Sequence, residues 1–312
     1  MIISKARSTL RQILLLTLSA GLFTFAASSQ AGTLVRINTS LGGMTLELFD
    51  DVAPKTVANF LSYVNSGRYD GTFIHRSEPG FVIQGGWLKF TESNQSLFAI
   101  PTYPNVQNEF SISNTRGTVA MAKVAGDPDS ANSQWFINLV DNIGLDSSNG
   151  GFTVFGRIVD NGMVVADAVA GLNRYALTSD ITTVPLINFQ ALPLKSENMV
   201  NLAMSVMTNT SGVPNVFDTT SSLLYTTIDA GADGVLTLAF SLYSLEPEVV
   251  IQALASSLVA PVAPVAKMAT FNGSNGQITI PEFVVNGEVA YRNVVFELSD
   301  ANQLLFRLVS VE

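Results

Sequence analysis

Phe73-Ile74-His75-Arg76-Ser77-Glu78-Pro79-Gly80-Phe81-Val82-Ile83-Gln84-Gly85-Gly86 puts polar groups where a plain strand would carry none. Two short β-like runs, Thr72–Arg76 and Phe81–Gln84, flank Glu-Pro-Gly, a turn in which Pro fixes one φ and Gly permits the other. One arginine, one glutamine and one phenylalanine are thereby brought close. A guanidinium charged at every relevant pH, beside an amide and an apolar ring, suits a substrate with a carbonyl at one end and a ring at the other. Taken alone, the same residues also suit a solvated strand end with a phenylalanine in the core.

Working outward, residues 33–192 read as one β-rich domain. Thr33–Asn38 and Gly43–Phe49 form a hairpin, with Leu46 and Leu48 on the face opposite Thr45 and Glu47. Pro54 opens a helix whose Val57, Phe60, Leu61 and Val64 keep the i, i+3, i+4, i+7 spacing, and Gly67 closes it. Further strands are expected at Thr72–Arg76, Phe81–Gln84, Gly117–Ala122, Gln134–Leu139, Thr153–Val159 and Val184–Leu192, and a second helix near Met163–Ala170. Eight antiparallel strands favour closure, because closure removes exposed edges. Along one strand, Gln134 and Phe136 share a face that can line a cleft, while Trp135 and Ile137 share the face that can fill a barrel.

The segment FIHRSEPGFVIQGG resembles the signature of the cyclophilins, peptidyl-prolyl isomerases whose corresponding stretch reads roughly F-H-R-x-x-x-G-F-x-x-Q-G-G. Asn114–Ala122 and Ser130–Asn138 are similar to that family's R-G-x-[LIV]-[AS]-M-A and S-x-x-S-Q-F-F-I segments, and Asn142–Asp146 and Val154–Gly156 follow in the family's order. Several motifs in sequence are specific where any one is weak. The resemblance implies a mainly β fold, an eight-stranded antiparallel barrel capped by two helices, and rotamase activity on proline-containing polypeptides. It implies Arg76 and Gln84 as catalytic residues. Phe81, Val82, Ala122, Lys123, Gln134, Phe136, Leu145 and Phe152 are the substrate-binding positions, with the backbone of Lys123 holding the substrate chain. No cofactor and no metal are expected. Phe81 and Gln84 differ in strand parity, so their convergence follows from the resemblance alone. Three positions depart from the family pattern: Gly144 stands where many members have an aromatic ring, often Trp; Lys123 replaces a common Asn; and Phe152 stands where many have His.

His75 is the chain's one histidine. No G-x-S-x-G elbow offers it a nucleophile, and one His without Cys is a poor start for zinc; the resemblance implies a packing role beside Arg76. The chain is 312 residues long with a formal net charge of −9 and no cysteine, so disulfides and a lipid-modified cysteine are excluded. Lys5, Arg7 and Arg11 followed by the uncharged run Gln12–Ala31 read as a signal peptide, with cleavage expected after Ala31. Removing those three bases takes the mature charge to −12, and with no basic cluster nucleic acid is not a partner. Export is expected, to the periplasm or alternatively to the medium or cell surface, without stable membrane insertion once the leader is cut.

In residues 193–312 no family is recognised and no catalytic constellation is seen. From Glu197 onward eleven acids face three bases, Lys267, Arg292 and Arg307. Strands are expected at Leu223–Ile228, Val235–Leu242, Gln277–Ile280, Tyr291–Leu298 and Leu304–Val309, a short helix at Pro247–Leu258, and a hinge at residues 259–265. Two functions of different class follow. One is an isomerase and chaperone that assists folding of exported proteins. The other is a module that binds proline segments with little turnover, the C-terminal region carrying the main role.

Overall fold

Apolar alternation in Leu34–Thr39 (β1) and Gly42–Leu48 (β2) builds the first hairpin, and Val35, Ile37, Met44, Leu46 and Leu48 go to the inside with almost no exposure. The computed structural model describes residues 32–207, 214–260 and 262–312, so the expected leader lies outside the described residues. The helix opened by Pro54 runs Pro54–Asn65 (α1) and buries Val57, Phe60, Tyr63 and Val64. Arg76–Glu78 (β3), Val82–Gly85 (β4), Thr118–Met121 (β7), Trp135–Asn138 (β8) and Val154–Val159 (β9) follow, with the outlying hairpin Leu88–Thr91 (β5) and Ser96–Ala99 (β6) between β4 and β7. A second helix, Gly162–Ala170 (α2), buries Ala166 and Val169, and Leu202–Val206 (β12) ends the unit.

These strands form one antiparallel eight-stranded sheet in the order β12-β1-β2-β9-β7-β8-β4-β3. It curls until its two edges meet. Gly71 donates to the Leu202 carbonyl and Leu202 to that of Thr72, both at 2.8 Å, and Phe73 bridges Asn201. The enclosed core holds Trp135, Phe155, Ile83 and Ile137 with Phe60, Tyr63 and Tyr69, and both helices contribute to it. Gly80 completes the Glu-Pro-Gly turn at φ +75°, a conformation that favours glycine. Gly86 is needed for a close approach: a Cβ there would meet the Ser133 carbonyl at 2.4 Å.

The eighth strand is not the one expected. Val184–Leu192 supplies only the two-residue strand Val184–Pro185 (β11), paired with Arg174–Tyr175 (β10) in a separate ladder, and Leu186 goes on to bridge Met199. Val184 and Leu186 pack instead into a satellite core with Phe73, Leu88 and Met199. The barrel takes β12, whose five residues pair with β1 from Val35↔Val206 to Thr39↔Leu202. The first compact unit therefore ends at Met207, which corrects the expected boundary at 192.

The second unit is a β-barrel of its own. Its strands are Asn215–Asp218 (β13), Leu223–Asp229 (β14), Val235–Ser244 (β15), Val250–Val259 (β16), Ala269–Asn272 (β17), Gln277–Val285 (β18), Glu288–Asp300 (β19) and Leu305–Ser310 (β20). The sheet runs β14-β15-β16-β20-β19-β18, and β13 and β17 each bridge part of the gap between β18 and β14, so the ring closes on seven staves. Leu224, Phe240, Ile280, Phe296 and Phe306 fill it. Two expectations fail here. Pro247–Leu258 is mostly the strand β16, not a helix, because its β-branched start at Val249-Val250-Ile251 pairs with β15 and β20. The expected hinge does not divide this unit either, since β17 and β18 on its far side pair with β14 and β13 on its near side. Among the described residues no helix is long and apolar enough to cross a membrane.

Candidate active site

A single cross-strand row carries the site. Arg76 on β3 stands opposite Gln84 on β4, Gln84 opposite Phe136 on β8, Phe136 opposite Ala120 on β7, and Ala120 opposite Val154 on β9. Residues directly opposite one another leave the same face of a sheet, so this row is a line of side chains on the outside of the barrel, polar at the β3 end and apolar beyond. Trp135 and Ile137 point the other way and are fully buried in the core. Phe81 belongs to the turn before β4 and not to the strand, so strand parity does not govern where its ring goes.

The polar end is a directed chain of hydrogen bonds. Arg76 Nη1 donates to Gln84 Oε1 at 3.2 Å, and Gln84 Nε2 donates to Gln134 Oε1 at 2.9 Å. A guanidinium has donors only, so it dictates which end of the Gln84 amide faces it and leaves the NH₂ for Gln134. The guanidinium carbon sits 5.7 Å from the centroid of the Phe81 ring, and Nε lies 3.5 Å from Glu78 Oε1. Glu78 is a contributor that sequence reasoning missed; an acid two residues after an arginine on one strand was the available signal.

The apolar end is a cluster distinct from the barrel core. Val82, Ala120, Phe136 and Val154 are buried in it, and Phe81, Ala122, Leu145 and Phe152 pack against them, together with Phe49 and Ile112, which the sequence did not single out. Phe136 and Phe152 meet edge to face at 5.8 Å. Loops around the bowl are pinned by two asparagine amides and one carboxylate. Asn142 Nδ2 donates to the Phe81 carbonyl at 3.0 Å, and Asn114 Nδ2 to the Phe152 carbonyl at 3.1 Å. Asp146, next to Leu145, accepts from the Ser113 hydroxyl and from Asn114. Burial raises its pKa, but these hydrogen bonds outweigh it and hold the carboxyl below its ordinary range.

All ten expected residues are thus brought to one region, with one difference in use. The Lys123 side chain turns away to donate to the carbonyls of Asn149 and Gly151 at 2.8 and 2.6 Å, and its ammonium stands 4.9 Å from the centroid of the Phe152 ring. Burial pushes its pKa below the ordinary value. Lys123 therefore ties down the loop that precedes Phe152. Gly144 is exposed, with open space where a side chain would stand.

His75 is 5% exposed, packed edge-on against Trp87 at 5.3 Å, with Nδ1 buried and unpartnered among the described residues. Burial pushes its pKa down to about 4; a hydrogen bond with Gln134 opposes the shift and the Arg76 charge adds to it. In the unfolded chain the ring takes a proton near the ordinary value of about 6.5. Between those two values the unfolded state binds a proton that the folded state refuses, so stability is lost as pH falls through that window. Denaturant midpoints should show a loss of about 2 kcal/mol between about pH 7.5 and pH 5, and His75→Asn should flatten that slope. An equal slope in the variant would assign the acid sensitivity to other groups.

The family model for "Cyclophilin type peptidyl-prolyl cis-trans isomerase/CLD" matches residues 34–189. A peptidyl-prolyl cis-trans isomerase of Acinetobacter baylyi is 38% identical over 179 residues, 55% of this chain and 91% of that protein. Peptidyl-prolyl cis-trans isomerase cyp18 of Streptomyces antibioticus is 47% identical over 145 residues, 44% of this chain and 83% of its own length. Peptidyl-prolyl cis-trans isomerase B of Escherichia coli is 40% identical over 146 residues, 45% of this chain and 85% of its own length. Among solved structures, a cyclophilin type isomerase of Cryptosporidium parvum in the presence of the dipeptide Ala-Pro aligns with a TM-score of 0.42 and 22% identity, over 56% of this chain and 99% of that one. With the motifs in order, the barrel closed and the family model matched over 34–189, the chain belongs to the cyclophilin-type peptidyl-prolyl cis-trans isomerases.

Proposed function

We propose that this protein is an exported isomerase that accelerates folding of exported polypeptides limited by X-Pro bonds, with Arg76 as the catalytic donor. The supporting observation is the row in which Arg76 and Gln84 adjoin an apolar cluster around Phe136. Rotation about an X-Pro bond is opposed by a barrier of about 18–20 kcal/mol, because the C–N bond has partial double-bond character. The prolyl nitrogen becomes pyramidal and basic as the bond twists. A donor aimed at that nitrogen stabilises the twisted state more than either planar one, which is what lowers a barrier.

In this reading the proline ring sits against Phe81, Phe136 and Leu145, with Val82, Ala122 and Phe152 at the margin. Arg76 faces the nitrogen, Gln84 holds Arg76, and the Lys123 backbone with Gln134 holds the substrate chain. No cofactor, proton transfer or covalent intermediate enters. Export rests on the leader. Fractionation of cells with N-terminal sequencing of the recovered protein tests it together with a protease-coupled assay on an X-Pro peptide. Active protein beginning at Gly32 outside the cytoplasm is the expected result; active protein that keeps residues 1–31 and stays in the cytoplasm would remove exported clients from the proposal.

A further inference from the structure

We propose that Glu78 is a positioning residue: held by Thr183, it fixes the edge of the Arg76 guanidinium opposite Gln84 and so aims the remaining nitrogen, Nη2, into the cleft. The proposal rests on the reading of Arg76 as the donor. Arg76 and Glu78 are alternate residues of β3, so both side chains leave its outer face. Glu78 Oε1 faces Arg76 Nε at 3.5 Å and accepts a hydrogen bond from Thr183 Oγ1 at 3.1 Å. Thr183 is itself anchored, because its carbonyl accepts the Ser77 N–H at 2.8 Å. One backbone bond and one side-chain bond therefore tie this threonine to β3 at the two residues after Arg76.

The consequence for Arg76 is geometric. Its side chain is 41% exposed and springs from a three-residue strand, so without contacts it would sample many rotamers. Gln84 engages Nη1 on one edge of the plane and Glu78 faces Nε on another, while the Phe81 ring lies alongside. A planar fork restrained on two edges keeps its direction. Nη2 then makes no bond to the described residues and is the nitrogen left for substrate. An exposed ion pair adds little to stability, so the value of this one lies in orientation.

The test is a cycle on the mature chain with a short X-Pro peptide: Glu78→Ala, Arg76→Ala and the double variant. Glu78→Ala should lower kcat about three- to fivefold with KM nearly unchanged. Glu78→Gln, which keeps an acceptor for Nε–H, should recover most of the loss, and Thr183→Val should fall between. In the Arg76→Ala background Glu78→Ala should have almost no effect, and in the parent it should broaden or shift the Arg76 Nε–Hε resonance. An equal loss in both backgrounds would make Glu78 merely structural, a change in KM alone would make it a substrate contact, and no loss at all would make it dispensable; each overturns the proposal while leaving Arg76 as the donor. Full activity of Arg76→Ala itself would overturn both.

Discussion

Arg76→Ala lowers kcat/KM toward X-Pro peptides by about a hundredfold or more, with circular dichroism unchanged. The expected size is that of removing one preorganised donor, about 3–4 kcal/mol of transition-state stabilisation. Folding survives because the guanidinium lies outside both the barrel core and the apolar bowl, half exposed, and its loss leaves no internal cavity. The partners it abandons, Gln84 and Glu78, are also partly exposed and can turn to water. Arg76→Lys restores little, since an ammonium cannot engage Gln84 and Glu78 on two edges and still present a donor to substrate. Parent-like activity of Arg76→Ala at an unchanged spectrum would refute the assignment.

A fragment ending at residue 194 fails to fold, whereas one covering residues 32–207 folds and keeps most of the isomerase activity. The short fragment lacks β12 together with Met199 and Val200, which removes the seam that closes the barrel. Met199, Val200, Leu202 and Met204 are each at most 5% exposed. Burying four such side chains contributes about 6–12 kcal/mol, comparable with the entire stability of a typical domain, about 5–15 kcal/mol. The backbone of β1 would also face water along its length, an open edge inviting aggregation. The longer fragment retains every strand of the first sheet and every residue of the row from Arg76 to Val154. A cooperative thermal transition in the 32–194 fragment would show that β12 is dispensable; inactivity of a folded 32–207 fragment would show that the second barrel takes part in catalysis.

Local chemistry is what the sequence determined by itself. The Glu78-Pro79-Gly80 turn was legible because only glycine accepts φ +75° at little cost. The opposite destinations of Phe136 and Trp135 were legible because strand side chains alternate, whatever the strand pairs with. Most strands of the second barrel were legible for the same reason. The ambiguous stretch was Val249–Leu258, whose apolar residues suit either period; pairing with β15 and β20 decided it. Tertiary structure alone decided which distant segments share a ladder. It chose β12 over Val184–Leu192 as the eighth strand, joined residues 267–312 to the strands before them, and drew Arg76, Gln84, Phe136, Ala120 and Val154 into one row. It also gave Glu78 a partner 105 residues away in Thr183. Period and propensity are properties of neighbouring residues, whereas register between strands is set by closing a common core, and no window along the chain contains that constraint.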